Sequence, residues 1–309
     1  MYFFLALSLV ASAAATSLGD LLNLTCAAST CSLWASSLGD SQAVAVPLRL
    51  SFYAPSIVRW WLAVDGNFSD TGAASDVIVG GGAPVTAVSH DAGSYIEISQ
   101  ASRPSPDVVL RINKSPVQLS ILVSGNIVVQ EVAPLTWNQS SSWQTLARDA
   151  APFPAGLTVE HFFGGGMQNG RFAHRDEAIT IAVDYNWEDG GHPNSVPWYL
   201  STAGYGVLRN TWAPGVYSFV SPVVTSHDEG NRFDAFFTLA APGDIKALLG
   251  LYTNLTGPPF MPPIYALFLG DSDCYHNDRH GNSTQVAIAI AQLYEDNDMP
   301  RGWMLPNDG

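Results

Sequence analysis

Charge is scarce in this chain, and positive charge scarcer still. Only 13% of the 309 residues are Asp, Glu, Lys or Arg, and 13 Lys plus Arg face 27 Asp plus Glu, a formal net charge of −14. Such a field repels polyanions, which excludes nucleic acid as a partner and leaves neutral ligands such as sugars unopposed. Cysteine is nearly absent, with three in all, so a disulfide-dense scaffold is excluded. Long apolar runs are missing too. The first 15 residues, MYFFLALSLVASAAA, are too few to span a bilayer comfortably, and no later segment reads as a stable membrane span. The chain does contain 47% hydrophobic residues, 11% aromatics, 27 Gly and 20 Pro. That is ample for a packed core and suits short strands joined by tight turns better than a helical bundle or a disordered chain.

The opening run ends in Ala13-Ala14-Ala15, a small-x-small cleavage pattern, so residues 1–15 are expected to be a signal peptide and the protein to be secreted. A buried helix or membrane anchor is the competing reading. Asn23, Asn67, Asn113, Asn138, Asn254 and Asn282 each stand two before Ser or Thr with no intervening Pro, the acceptor pattern for N-linked glycans. Cys26 and Cys31 are candidates for a small disulfide in an oxidising compartment, which leaves Cys274 over.

From about residue 42 to 240 the chain reads as strands. AVAVPLRLSFYA (43–54), SIVRWWLAV (56–64), SDVIVG (75–80), SYIEIS (94–99), DVVLRI (107–112), VQLSILVSGNIVV (117–129), AITIAVDY (178–185), WYLSTAGYGVLRNTW (198–212), VYSFVS (216–221) and RFDAFFTLA (232–240) are rich in β-branched and aromatic residues. Gly, Pro and Asn-Gly break them. Short strands at regular spacing without helices between them predict a β-sandwich. The texture changes after Gly243. Residues 244–253 predict a short helix, and PPFMPP (258–263) a stiff connector. IYALFL (264–269) predicts a strand buried on both faces, 283–297 a helix, and GWML (302–305) a second strand. Together these make one βαβ unit, which needs neighbouring strands to bury its sheet.

Two stretches carry a family resemblance. FFGGGMQNGRFAHRDEAITIAVDYNWEDGGHPNSVPWYLSTAGYGVLRNTW (162–212) is similar to the end of the N-terminal β-sandwich of glycoside hydrolase family 31. There a Gly-rich turn and a Gln precede a loop and a paired-strand motif ending in Gly-Tyr-Gly-Val. LYTNLTGPPFMPPIYALFLGD (251–271) resembles the family's helix, Pro-rich connector and first barrel strand. PRGWMLPNDG (300–309) is most similar to the family's branch containing glucosyltransferases that build or rearrange α-1,6- and α-1,3-linked glucans. The resemblance implies a mostly β fold. A galactose-mutarotase-like β-sandwich over residues 16–257 would be followed, over 258–309, by the truncated start of a (β/α)8 TIM barrel. It implies an enzyme acting on α-linked glucosides by a retaining double displacement with two aspartates. Both are expected beyond Gly309, so no catalytic residue is assigned within these 309 residues and the fragment alone is expected to be inactive. The competing class is a non-catalytic carbohydrate-binding sandwich protein.

The same resemblance supplies the substrate-binding candidates. Asp308 ends the second barrel strand, where the family places an aspartate on sugar hydroxyls; a carboxylate is a strong double acceptor for such groups. The loop Asn186-Trp187-Glu188-Asp189-Gly190-Gly191 corresponds to one lining the acceptor side of the pocket, with Trp187 as the stacking platform and Asp189 as the hydrogen-bonding carboxylate. Tyr275 stands near a substrate-facing aromatic, with Asp271 and Asp273 beside it. For each of these the bland alternative is a solvated turn or a packed side chain. Asp271, Asp273 and His276 match no established metal spacing, so no metal or cofactor is expected. His161 and His174 flank Gly164-Gly165-Gly166 and read as structural. Those glycines lack the following Lys-Ser/Thr of a phosphate loop.

Overall fold

A computed structural model describes residues 15–39, 44–70, 76–79, 85–153, 157–183, 191–273 and 283–306. The chain divides into two compact units, residues 1–257 and 258–309.

Among the described residues, the regular structure of the first unit is antiparallel sheet with a helix against it. A meander opens it: β1 (Thr16–Ala27), β2 (Thr30–Leu38), β3 (Ala45–Ala54) and β4 (Ile57–Ala63). A second meander comprises β5 (Ala87–Asp91), β6 (Tyr95–Gln100), β7 (Val108–Lys114), β8 (Val117–Val123) and β9 (Asn126–Trp137). The remaining strands are β10 (Ser142–Leu146), β11 (Phe162–Met167), β12 (Ala178–Ile181), β13 (Asn194–Ser201), β14 (Tyr205–Arg209), β15 (Gly215–Ser218), β16 (Val223–His227) and β17 (Arg232–Leu239). Their pairing order runs β11-β13-β14-β17-β4-β3-β2-β1-β9-β10-β16-β15-β12. Strand β9 is shared. Its first residues pair with β8 and its later ones with β10 and β1, so one strand passes from the smaller sheet into the larger.

Side-chain alternation explains the layering. In β2, Cys31, Leu33 and Ala35 point inward while Ser32 and Trp34 face out. In β7 and β8, Val108, Leu110, Ile112, Val117, Leu119 and Ile121 are fully buried. Strand β4 is buried on every residue. Its inner side chains, including Trp60, join the core, and its outer Arg59 lies under Asp234 of β17, the strand it pairs with from Arg232↔Ala63 to Thr238↔Ile57. Helix α1 (Ile245–Thr256) covers part of the same outer face. Asp244 caps it by accepting from the Ala247 N–H at 3.0 Å, and Leu248 and Leu255 are its buried side chains. Tyr252 stacks on Trp198 with ring centres 4.2 Å apart.

The second unit holds a short 3-10 turn (Ile264–Leu267), strand β18 (Gly270–Asp273), helix α2 (Ser283–Asp296) and strand β19 (Trp303–Pro306), with β18 and β19 parallel. Ile264, Leu267, Phe268, Ile288 and Leu293 are exposed. Among the described residues no helix is long and apolar enough to cross a membrane.

The mostly β, sandwich-like architecture predicted from composition and spacing is what the chain adopts. Four segment assignments need correction. Residues 76–79 of the predicted 75–80 strand form no ladder; Ile78 packs against the α1 cluster and Val79 donates to the Leu255 carbonyl at 3.0 Å. Two long runs, 117–129 and 198–212, are each two strands folded at a turn, because Ser124, Gly125 and Gly204 take positive φ. The IYALFL run is not a two-face-buried strand. Pro263 precedes a 3-10 turn closed by the Ala266 N–H on the Pro263 carbonyl, and the strand starts at Gly270.

One buried group sets a pH response. Glu131 of β9 is 3% exposed; its Oε2 accepts the Leu119 N–H and its Oε1 a Gln144 amide hydrogen, both at 2.8 Å. Burial, outweighing these hydrogen bonds, pushes its carboxyl up to about 7. A raised folded-state pKa gives stability that is full below the unfolded value and lost as pH rises through the folded one. Glu131 should therefore remove about 3 kcal/mol between pH 5 and 8, and Glu131→Gln should lack that share of the decline. Urea melts of both proteins across this range check it; parallel stability curves would rule it out.

Candidate functional site

The site is built on the Gly-rich end of β11. Gly164, Gly165 and Gly166 have φ of 115°, 76° and 78°, a region that side chains with a Cβ rarely adopt. The turn also brings backbone against backbone. A Cβ on Gly164 would sit 2.7 Å from the Trp198 carbonyl oxygen, and one on Gly166 2.2 Å from that of Asn194. The register slips between Gly164↔Tyr199 and Gly166↔Ser195, so β11 bends as it leaves the sheet.

The segment beyond this turn is pinned through backbone carbonyls. The Gln168 amide donates to the Gly165 carbonyl at 2.9 Å and the Thr180 carbonyl at 3.1 Å, tying the turn to β12. His174, 3% exposed, places Nε2 at 3.1 Å from the Gly164 carbonyl, so Nε2 carries the hydrogen, and its ring stacks on Phe219. The Asn169 N–H donates to the Gly191 carbonyl at 2.8 Å, and His192 Nδ1 donates to the Ala182 carbonyl. These bonds tie residues 182, 191 and 192 together and hold them against Asn169. Beside this base lies a cavity of about 490 Å³ lined by Gln168, Gly170, Arg171, His174, Glu177 and Thr180. Arg171 Nε pairs with Glu177 Oε1 at 2.9 Å on its exposed rim. The lining offers donors and acceptors of both kinds, which suits a hydroxyl-rich neutral molecule.

The motif after the loop serves packing. Tyr199, Tyr205 and Tyr217 are buried with Phe162 and Phe219 in one aromatic cluster. His227 Nδ1 donates to the Ala213 carbonyl, leaving Nε2 to accept the Tyr217 hydroxyl, each at 2.8 Å. Burial, helped by the Arg209 charge, holds this imidazole near a pKa of 3, hence neutral. Asn210, at the motif's end, donates to Asp234.

Trp187, Asp189, Tyr275, Asp308 and the acceptor Asn282 lie outside the described residues, as do Cys274 and His276. Asp271 and Asp273 fall on β18, in the second compact unit. Cys26 and Cys31 are joined by a disulfide at the end of the β1–β2 hairpin. His174 has the structural role read from sequence. Gln168 and His192 fasten the loop base, a role the sequence does not advertise. Their partners are carbonyls, which leave no side-chain signature.

A family model for the glycosyl hydrolase 31 N-terminal galactose mutarotase-like domain matches residues 47–217, more than half of the chain. The chain belongs to glycoside hydrolase family 31. Among solved structures, the family 31 dextranase of Flavobacterium johnsoniae complexed with glucose superposes with a TM-score of 0.71 at 18% identity, covering 91% of this chain and 33% of that one. The cycloalternan-forming enzyme of Listeria monocytogenes, in complex with a pentasaccharide substrate, gives 0.72 at 17% identity, covering 93% and 26%. The catalytic subunit of ER glucosidase II gives 0.68 at 14%, covering 92% and 39%. This family 31 chain thus spans about a quarter to two fifths of the length of these enzymes. No curated protein matches its sequence.

Proposed function

We propose that this family 31 chain is the substrate-flanking sandwich of a secreted enzyme that acts on α-linked glucosides. The observation that carries the reading is the set of bonds that fixes the residues on either side of 184–190. The Gly164–Gly166 turn, Gln168, Asn169 and His192 fasten both ends of a segment bearing Trp187 and Asp189. Fixed flanking residues lower the entropic cost of placing a sugar-binding aromatic and carboxylate. The parallel β18-α2-β19 unit, with apolar side chains on its surface, supports a continuation into a (β/α)8 barrel. In that barrel Asp308, with Asp271, Asp273 and Tyr275, would hold the glucosyl unit undergoing reaction. One carboxylate attacks the anomeric carbon while a carboxylic acid protonates the departing oxygen; water or a sugar hydroxyl then displaces the carboxylate, so configuration is retained. The two aspartates of that chemistry are assigned to the continuation of the barrel, beyond residue 309. Residues 1–15 act as the leader.

Full-length protein expressed with its own leader, assayed on maltose, isomaltose, nigerose and an α-xyloside, tests the reading. The expectation is release or transfer of glucose with net retention, and a 10- to 100-fold loss (roughly 1.4–2.7 kcal/mol) in kcat/KM for transfer to a sugar acceptor in Asp189→Ala. Glycan binding without turnover would replace this reading with the non-catalytic one.

A further inference from the structure

Asn23 and Trp34 are direct cross-strand partners in the β1–β2 hairpin, one pair along from Leu24↔Leu33. The inward residues of this hairpin, Cys31, Leu33 and Ala35, are fully buried, whereas Asn23 and Thr25 are exposed and Trp34 is 44% exposed. Opposed side chains of an antiparallel pair project to the same face with Cβ atoms about 5 Å apart. The Cys26–Cys31 disulfide holds the two strands together. The Trp34 indole, flanked on its other side by its β3 partner Pro47, keeps 44% of its surface exposed beside an asparagine in an acceptor triplet, Asn23-Leu24-Thr25.

We propose that Asn23 carries an N-linked glycan whose first N-acetylglucosamine packs its C–H face on the Trp34 indole. In the modification the Asn23 Nδ2 attacks the anomeric carbon of a polyprenyl-diphosphate-linked oligosaccharide. A C–N bond forms, the C–O bond to the diphosphate breaks, and Nδ2 loses a proton. The proposal rests on the secretory part of the reading above. Among the described residues the other acceptors are placed differently. Asn113 uses Nδ2 to bond the Ser115 and Pro116 carbonyls at 3.3 and 3.0 Å. Asn138 uses Oδ1 to accept from the N–H groups of Ser140 and Ser141, both at 2.7 Å. Asn67 and Asn254 are exposed but lie in a loop and on α1, outside any strand pair. Among the described residues the Asn23 amide is tied to no such partner. It therefore faces the indole free to carry a substituent.

The test uses the whole chain behind a heterologous secretion leader in a eukaryotic host, so that neither failure of the natural leader nor absence of glucosidase activity bears on the outcome. Mass spectrometry of the Asn23 peptide reads occupancy. Thermal melts of the parent, Asn23→Gln, Trp34→Ala and the double variant read the contact. The expected result is an occupied Asn23 and a Tm about 2–4 °C lower in Trp34→Ala, with no comparable loss when Trp34→Ala is added to Asn23→Gln. An unoccupied Asn23, or a Trp34→Ala loss equal in both backgrounds, overturns the proposal.

Discussion

Gly166→Ala is expected to destabilise the sandwich by about 3 kcal/mol or more, lowering its urea midpoint sharply and loosening the loop base behind it. Two costs combine. The backbone at φ 78° is the region where an L side chain costs about 1–2 kcal/mol. The added Cβ would also lie 2.2 Å from the Asn194 carbonyl oxygen and 2.6 Å from the Val196 nitrogen. Both are backbone atoms of β13, so no side chain can swing away, and β11 must separate from its neighbour. Gly170→Ala separates the two costs. Its φ of 131° is also unfavourable, but a Cβ there meets nothing within 4 Å. It should cost only the backbone part, about 1–2 kcal/mol. Equal losses in the two variants would mean that the close approach of β11 to β13 is not what requires glycine.

Asp234→Ala is expected to cost about 3–5 kcal/mol and to lower Tm by roughly 10 °C. Arg59 is 7% exposed and donates from Nε and Nη2 to the two carboxylate oxygens at 2.8 and 2.7 Å; Asn210 donates to the same carboxylate at 2.7 Å. Burial opposes the guanidinium charge, yet the bonds and charges of Asp234 and Asp70 outweigh it and leave Arg59 protonated more firmly than a free arginine. Its planar group lies 3.6 Å from the Trp61 ring centre. Without Asp234 a charge stays buried between aromatic rings, held only by Asp70, whose side chain is 60% exposed. Asp70→Ala removes a solvent-screened partner and should cost no more than about 1 kcal/mol. Differential scanning calorimetry of both variants decides; comparable losses would sink the claim that Asp234 anchors Arg59.

The β class and the family are readable from the sequence because their signals are local. Alternating Val, Ile and aromatics mark each strand, and the ordered pair of motifs at 162–212 and 251–271 marks the family. The boundaries are harder. In VQLSILVSGNIVV the break at Ser124-Gly125-Asn126 is so short, between two runs of β-forming residues, that the stretch reads as one segment where two strands are folded together. The hairpin of β1 and β2 leaves no such pattern. β1 is mostly small and polar, and register shifts between Leu18 and Asn23 disturb its alternation. At the loop base, Gln168 and His192 bond to carbonyls of residues 165, 180 and 182. Those carbonyls become neighbours only once β11 and β12 are in place, and residue types cannot announce that.

Because β4 pairs with β17, the larger sheet closes only late in synthesis. Ala63 meets Arg232, so β4 leaves the ribosome long before the strand that completes its ladder. At roughly 5–20 residues per second the wait is on the order of ten to thirty seconds, with a row of unpaired amides and carbonyls on a strand that is later wholly buried. Translation speed through β5 to β16, and access of a chaperone to that edge, therefore govern how much chain reaches the native sheet before it aggregates.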